Sequence, residues 1–433
     1  MGDTSQCIEI DQGGSMHIVY LTNEFITETK KPRGGLATYL DNVTVMMAEK
    51  GHEITVIVLS YRGCTFCHRT GIQVICVKEV KTVKRLSDFG HALIVLINSW
   101  NIHCALKKLH KEKKVDIVQA ADCLAVGFFR IRRIPTVLRA SGDSAFWREA
   151  SFPEFNYDRA MHKQTWIDRE ELSVVKCSDS VFAPSRCCAD IIKKRSGRSI
   201  HVIESPYKQH DIEMDYSLYE KCLKGKEYLL FNSSLSYLKG THLGIRAARQ
   251  LMSRYPDLYL VYAGADHGLK GTEKSIAQIL KEQGRRYQGR IVYLGRLSHE
   301  QLFPVIENSL ACILPSRIDN LPNSCIEAMV FGKIVIGTYG ASFEQLIRNK
   351  ENGLLIKRDS VKSLLKAVDY LMNLEEADRV RMGENAKKTT KRLGSDLIYG
   401  QLITYYEKVI QDFKSKKYRN CLWKRFNRCT QKE

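Results

Sequence analysis

Asp319 and Glu327 stand eight positions apart in the run Pro315-Ser316-Arg317-Ile318-Asp319-Asn320-Leu321-Pro322-Asn323-Ser324-Cys325-Ile326-Glu327-Ala328-Met329. The pattern around them reads as a loop after a strand, then a helix that begins near Asn323 or Ser324. A loop and helix start of this kind present backbone N–H groups with no intrahelical acceptor. Together with the helix dipole they favour a phosphate. Asn320, Leu321, Pro322, Asn323 and Ser324 would wrap such an anion, and Asp319 would accept hydrogen bonds from sugar hydroxyls. Glu327 falls in the apolar run 326–331, where a carboxylate is costly unless paired or hydrogen-bonded. Ribose hydroxyls would satisfy it, and so would water on an amphipathic helix turned outward. A second loop, 233–240, ends Lys239-Gly240 and follows the apolar run 228–232. It brings Lys239 to the carboxyl end of a strand, the edge where open α/β sheets bind ligands, and a lysine there suits a diphosphate as a point charge. Gly264, directly after the run 258–263, and Glu344 are placed with these donor-binding candidates.

The elements that must position these residues alternate. Residues 16–21 read as a strand, a loop carries Gly34 and Gly35, and 36–50 reads as a helix with Leu36, Tyr39, Leu40, Val43 and Met47 at helical spacing. The continuous apolar run 54–59 is typical of a strand buried on both faces. Runs 74–77, 115–119, 136–139 and 180–183 extend the rhythm. After Ser205-Pro206 it starts again, with strand candidates at 228–232, 258–263, 291–294, 311–314 and 334–337 and a helical stretch at 361–413. Strands alternating with helices predict α/β architecture: two doubly wound Rossmann-like domains in series, facing each other across a cleft. The expected layout is an extension at 1–15, a first domain at 16–206, a second domain at 207–395, and a segment at 396–433 that carries a basic tail.

Composition narrows the class. The chain has 433 residues, 44% of them apolar, and a formal net charge of +19, which favours anionic partners without choosing among them. No nucleic-acid-binding signature occurs, so nucleic acid is not an expected partner. Fourteen cysteines are scattered. Cys64-Thr65-Phe66-Cys67-His68 spells a haem-attachment motif, but covalent haem attachment goes with export, and residues 1–15 contain acids and no apolar run. A Cys64/Cys67/Cys76 metal site lacks a fourth ligand. Free thiols in a reducing cytoplasmic compartment are the expectation, with neither metal nor cofactor. No run approaches the ~20 apolar residues of a membrane span. There is no Walker loop, no serine nucleophile elbow and no Asp-x-Asp motif.

Together these residues resemble glycosyltransferase family 4, the large retaining group with the GT-B architecture of two Rossmann-like domains. The resemblance runs from Met16 to about residue 410. It rests on the two acids separated by seven residues, the segment 319–332, the stretch Gly340-Ala341-Ser342-Phe343-Glu344-Gln345-Leu346-Ile347, Lys239 before Gly240, the paired Gly34-Gly35 and the stretch 181–185. It implies that a nucleotide-diphosphate sugar, as co-substrate, binds the second domain. Lys239 and the N–H groups of 321–324 would hold the diphosphate, Glu327 the ribose and Asp319 the sugar. Gly34 and Gly35 would let the first domain's backbone approach the phosphates. It also implies metal-independent transfer with retention, and last helices that return to the first domain. The sequence departs from the family in three places. The first acid is Asp319 instead of glutamate. Ser234 stands where the family has a phosphate-binding arginine, so one phosphate-binding cation is missing, or Arg317 or Arg296 takes over. The family's frequent histidine is absent from 137–143, where Arg139 or Asp143 serves the acceptor side instead, or forms a local structural pair.

The expected function is transfer of a hexose-type sugar to a glycan or lipid-linked acceptor. Glucan elongation of the glycogen- or starch-synthase kind, and a non-catalytic sugar-nucleotide-binding partner protein, are the alternatives. From Gln411 to Glu433 there are eight Lys or Arg and two acids, with Leu422, Trp423 and Phe426 among them. This tail suits peripheral attachment to the inner face of an anionic membrane.

Overall fold

The computed structural model describes residues 14–25, 34–60, 63–68, 70–81, 86–142, 144–162, 164–208, 212–268 and 274–415. The chain divides into two compact units. One comprises Met1–Arg139, Glu170–Phe182 and Ser395–Glu433, the other Ala140–Arg169 and Ala183–Gly394.

In the first unit, β1 (His17–Thr22), β2 (Glu53–Ser60), β3 (Cys64–Cys67), β4 (Gln73–Lys78), β5 (Ile117–Ala121), β6 (Thr136–Arg139) and β7 (Ser180–Ala183) lie in the order β3-β4-β2-β1-β5-β6-β7. Neighbours are parallel except β3, which runs antiparallel to β4. Every residue of β1, β5, β6 and β7 is buried. Successive side chains point to opposite faces, so such strands must be covered on both sides, and that is why they read as unbroken apolar runs. Gln119 is the polar exception in mid-sheet. Its Oε1 accepts hydrogen bonds from Tyr39 and from Tyr406 of the helix Ser395–Lys414. The same helix places the Tyr399 hydroxyl 2.9 Å from His52 Nε2 and sets Tyr405 edge-on against Phe182, with centroids 5.4 Å apart.

The second unit contains the two-residue β8 (His201–Val202) and a six-stranded parallel sheet. The sheet consists of β9 (Glu227–Asn232), β10 (Leu258–Ala263), β11 (Ile291–Gly295), β12 (Ala311–Leu314), β13 (Ile334–Thr338) and β14 (Leu354–Ile356) in the order β11-β10-β9-β12-β13-β14. The chain builds outward from β9 to one side, then returns and builds outward from β12 to the other. β9 and β12 are therefore adjacent at the point where the winding reverses, with Leu229 opposite Ala311 and Leu230 opposite Cys312.

Each strand run read from the sequence forms a strand. Three others were not legible: β3, with alternate residues exposed, the two-residue β8 and the three-residue β14. They are too short or too half-exposed to carry a pattern. The stretch 361–413 is three helices, Val361–Met372, Glu376–Thr390 and Ser395–Lys414, with a short 3-10 turn before Gly394. Nor do the compact units part at 205–206: the segment Ala140–Arg169 groups with the second. Phe146, Ala150 and Ala160 form one buried cluster with Ile191 and Ile318, so this segment's apolar partners lie on the helix Arg186–Ser196 and in the loop after β12. Cys64 sits opposite Cys76 across β3 and β4, and no group of three potential metal ligands exists among the described residues.

The strand ends pack backbone against backbone. A Cβ on Gly264 would lie 1.9 Å from the Ser233 carbonyl oxygen. Gly264→Ala should therefore lower unfolding stability by about 1–3 kcal/mol or more. Gly400→Ala, inside a helix with nothing within 4 Å of the added methyl, should raise it by about 0.4–1 kcal/mol. Urea unfolding of the two variants beside the native chain checks both signs.

Candidate active site

The carboxyl ends of β9 and β12 feed two loops that are tied together. Arg317 N donates to the Leu238 carbonyl at 2.8 Å, joining the loop after β12 to the loop after β9. Gly240 takes the left-handed region at φ 72°, and a Cβ there would lie 1.9 Å from the Pro315 carbonyl oxygen. Only glycine lets the backbones come that close. The junction delivers Lys239 to Asp319, with Nζ 2.6 Å from Oδ2 and both side chains largely buried. The Trp147 ring centroid lies 5.8 Å from the same Nζ. Asp319 is held on its other atoms too. Its Oδ1 accepts from Asn320 N at 3.0 Å, and its carbonyl accepts from Ser342 Oγ at 2.6 Å. Ser342 is buried in the left-handed region at φ 71°, and its Oγ lies 3.0 Å from Ser185 Oγ.

The helix after this loop is Asn323–Val330, with Pro322 as its N-cap and no side-chain cap bond. Cys325 N and Ile326 N both donate to the Pro322 carbonyl, at 3.0 and 3.2 Å. The N–H groups of Asn323 and Ser324 precede the first intrahelical bonds and stay open to an anion. Leu321 turns its side chain into the core beneath. One turn on, Cys325, Ile326, Ala328 and Met329 are buried, and Glu327 lies among them with its side chain 14% exposed. Its carboxylate has a partner, His299 Nε2 at 3.5 Å, whose ring stacks on Phe303 with centroids 5.1 Å apart. The hydrogen bond to Glu327 raises the His299 pKa above the ordinary imidazole value, against an opposing effect of burial.

This arrangement matches known proteins. The family model described as Glycosyltransferase Family 4 matches residues 33–207, and that described as Glycosyl transferases group 1 matches residues 220–389. The chain belongs to glycosyltransferase family 4. It is 25% identical to the alpha-D-kanosaminyltransferase of Streptomyces kanamyceticus over 50% of this chain and 55% of that protein. Such matches span about half the length of the curated relatives. Among solved structures, the sucrose-phosphate synthase of Thermosynechococcus elongatus superposes with a TM-score of 0.70 at 14% identity, covering 92% of this chain and all of that one. Anabaena HepE in complex with UDP gives 0.66 at 16% identity, covering 91% of this chain and all of that one. The fold is GT-B.

Some sequence expectations for this family 4 chain need correction. Arg317 is not a spare cation for the phosphates. Its guanidinium is buried and donates to the carbonyls of Ala150 (3.2 Å), Phe152 and Pro153 (2.7 Å) and to Asp359 Oδ1 at 2.9 Å. Five donors aimed at so many acceptors make it a structural clamp. Arg296, exposed after β11, keeps an open charge. Gly264 serves close packing through the Ser233 contact. Glu344 is exposed and its Oε2 accepts from Gly340 N at 3.1 Å. Ser234 is partly buried in the loop after β9. In the first unit, Gly34 caps the helix Gly35–Glu49 without a side-chain bond of its own, and Glu24 Oε2 lies 3.2 Å from where a Cβ on Gly34 would stand. Arg139 is buried at the end of β6 with Cζ 3.7 Å from the Tyr39 ring centroid, a stacked cation more than a reaching one. Asp143 lies outside the described residues. His299 and Trp147 were missed by sequence reasoning. No local spacing links His299 to Glu327, whereas the position of Lys239-Gly240 after a strand was a readable signal.

The His299–Glu327 pair has a definite pH sense. A histidine whose folded pKa is raised contributes stability below its unfolded pKa and loses it as pH rises through the folded one. The difference in melting temperature between the native chain and His299→Gln should be widest on the acid side of neutrality and shrink as pH rises to about 8.5. The difference should be modest, since His299 is nearly half exposed. Thermal melts across that pH series check it.

Proposed function

We propose that the chain is a retaining glycosyltransferase. It moves a hexose-type sugar from a nucleotide-diphosphate sugar to a glycan or lipid-linked acceptor, without a metal ion. The observation that carries this reading is the meeting of Lys239 and Asp319 over the β9/β12 reversal, beside the open start of the Asn323–Val330 helix. In this reading the donor diphosphate takes the Lys239 ammonium and the N–H groups of Asn323 and Ser324. Asp319, released from Lys239, accepts sugar hydroxyls, and Glu327 accepts the ribose hydroxyls. As the anomeric bond breaks, positive charge grows on the sugar and negative charge on the leaving diphosphate. Fixed N–H dipoles and Lys239 meet the latter without reorganising. The departing phosphate helps take the acceptor's proton. UDP in the Anabaena structure and the alpha-anomer in the name of the Streptomyces relative support a nucleoside-diphosphate donor and an alpha-linked product.

A specific observation favours a second reading. With Ser234 in the loop after β9 and Arg317 spent on carbonyls, the second unit holds fewer phosphate cations than the family pattern. A chain that binds the donor without turning it over would fit that.

Lys239→Ala should reduce sugar transfer by about 10²–10³-fold while the chain stays folded. Undiminished turnover in that variant would refute the role. Glu327→Ala should weaken binding of a nucleoside diphosphate by roughly tenfold or more, the loss of hydrogen bonds to a charged acceptor. Calorimetric titration reads that change, and an unaltered dissociation constant counts against the ribose assignment. Donor binding without hydrolysis or transfer on any acceptor of a panel would select the non-catalytic reading.

A further inference from the structure

The helix Asp88–Glu112 has two unlike faces. Inward, Ala92, Val95, Asn98, Ser99, Ile102, Leu106 and Leu109 are buried. The Asn98 side chain brackets the Val80 backbone, accepting from its N–H at 2.8 Å and donating to its carbonyl at 3.0 Å, and Ser99 Oγ donates to the Val126 carbonyl. Outward, Phe89, Leu93, Ile97 and Trp100 are exposed by 52%, 45%, 47% and 51%. Steps of four, four and three residues align them as one stripe along the helix. The stripe widens sideways, because the Trp100 ring lies edge-on to Phe129 with centroids 5.2 Å apart. Farther along the same face it turns basic, with Lys107, Lys108 and Lys111 exposed, and Arg132 and Arg133 are exposed in the loop after Phe129. No Asp or Glu occurs between Asp88 and Glu112.

We propose that this face docks on an anionic lipid surface, with the helix lying in the plane of the interface. The helix is long and apolar enough to cross a membrane by length and composition. Its inner face is bonded into the sheet-bearing unit, so it has no free perimeter with which to span. A one-sided apolar stripe continued by cations is the pattern of interfacial helices. Aromatic rings prefer the headgroup level, and lysine stems can lie along apolar surface with the ammonium at the phosphates. Between Asp88 and Glu112 the helix offers no carboxylate to repel a negative partner. The helix belongs to the first unit and Lys239, Asp319 and Glu327 to the second, so this inference stands or falls apart from the proposed transfer. The basic tail read from the sequence lies, from Lys416 onward, outside the described residues.

The test is co-sedimentation of the full-length chain with vesicles of phosphatidylcholine alone or mixed with phosphatidylglycerol. The native chain should pellet with the mixed vesicles and stay in solution with the neutral ones. Lys107→Gln/Lys108→Gln/Lys111→Gln should lower partitioning on the order of a hundredfold. Leu93→Gln/Ile97→Gln should lower it at least tenfold, and nucleoside-diphosphate binding in both variants should match the native chain as a check on folding. Brominated lipids supply a readout that needs no disruptive change: quenching of tryptophan fluorescence should fall in Trp100→Phe and persist in Trp423→Phe. Quenching lost only in Trp423→Phe, binding abolished only by truncation after Ser415, or native partitioning in the face variants would assign docking to the tail and overturn the proposal. A native chain that pellets with neither vesicle would overturn it as well, leaving the face to a protein partner.

Discussion

The backbone bond from Arg317 to the Leu238 carbonyl, with the Gly240 approach to Pro315 beside it, holds two loops from adjacent strands at one place. Lys239 and Asp319 are 80 residues apart in sequence and 2.6 Å apart in space because of it. The constraint has its root in the sheet. Where the winding reverses between β9 and β12, no crossover helix fills the space above the strand ends, so loops rather than packed side chains occupy that edge. Arg317 then anchors the arrangement from beneath through its bonds to the Ala150, Phe152 and Pro153 carbonyls and to Asp359.

Charge at the site is arranged around this junction. Lys239 is kept in place by the Asp319 carboxylate. The helix N–H groups need no such keeper, since they are fixed by the backbone. Glu327 occupies an apolar helix face and is balanced by His299 from another element, the helix His299–Glu307. Asp359 is similarly pulled two ways. Burial pushes its carboxyl up, while hydrogen bonds from His242 and Arg317 hold it below the usual carboxylate range. The site therefore separates Arg317, a cation committed to backbone carbonyls, from Lys239, which is paired with a carboxylate beside the helix start.

The helix Asp88–Glu112 shows a different division of labour. Its inward face is fastened by Asn98 and Ser99 to neighbouring backbone, which is the way a core helix is held, while its outward face carries large apolar side chains that stay about half exposed. Averaged along the sequence, the two faces blur into one moderately apolar stretch. Only the fold separates the half that stabilises the unit from the half available to a partner.

Much of the architecture was legible because parallel strands buried on both faces must be apolar at every position, and runs such as 54–59, 228–232 and 311–314 announce themselves. The acid pair, Lys239-Gly240 and the helix start at Asn323 were likewise readable, since loop chemistry and helix entry depend on neighbours in sequence. What depended on distant neighbours was not. Arg317 looked like a free cation until the carbonyls of 150–153 were seen to surround it. His299 had no local reason to face Glu327, and the segment Ala140–Arg169 showed no sign of packing on Ile318. Residue types and spacing by themselves determined the class of fold, the family and the edge of the sheet where chemistry can occur. Tertiary structure alone decided which charges are spent on holding that edge together and which remain to meet a ligand, because pairing of buried charges is settled by three-dimensional proximity, to which the local sequence is blind.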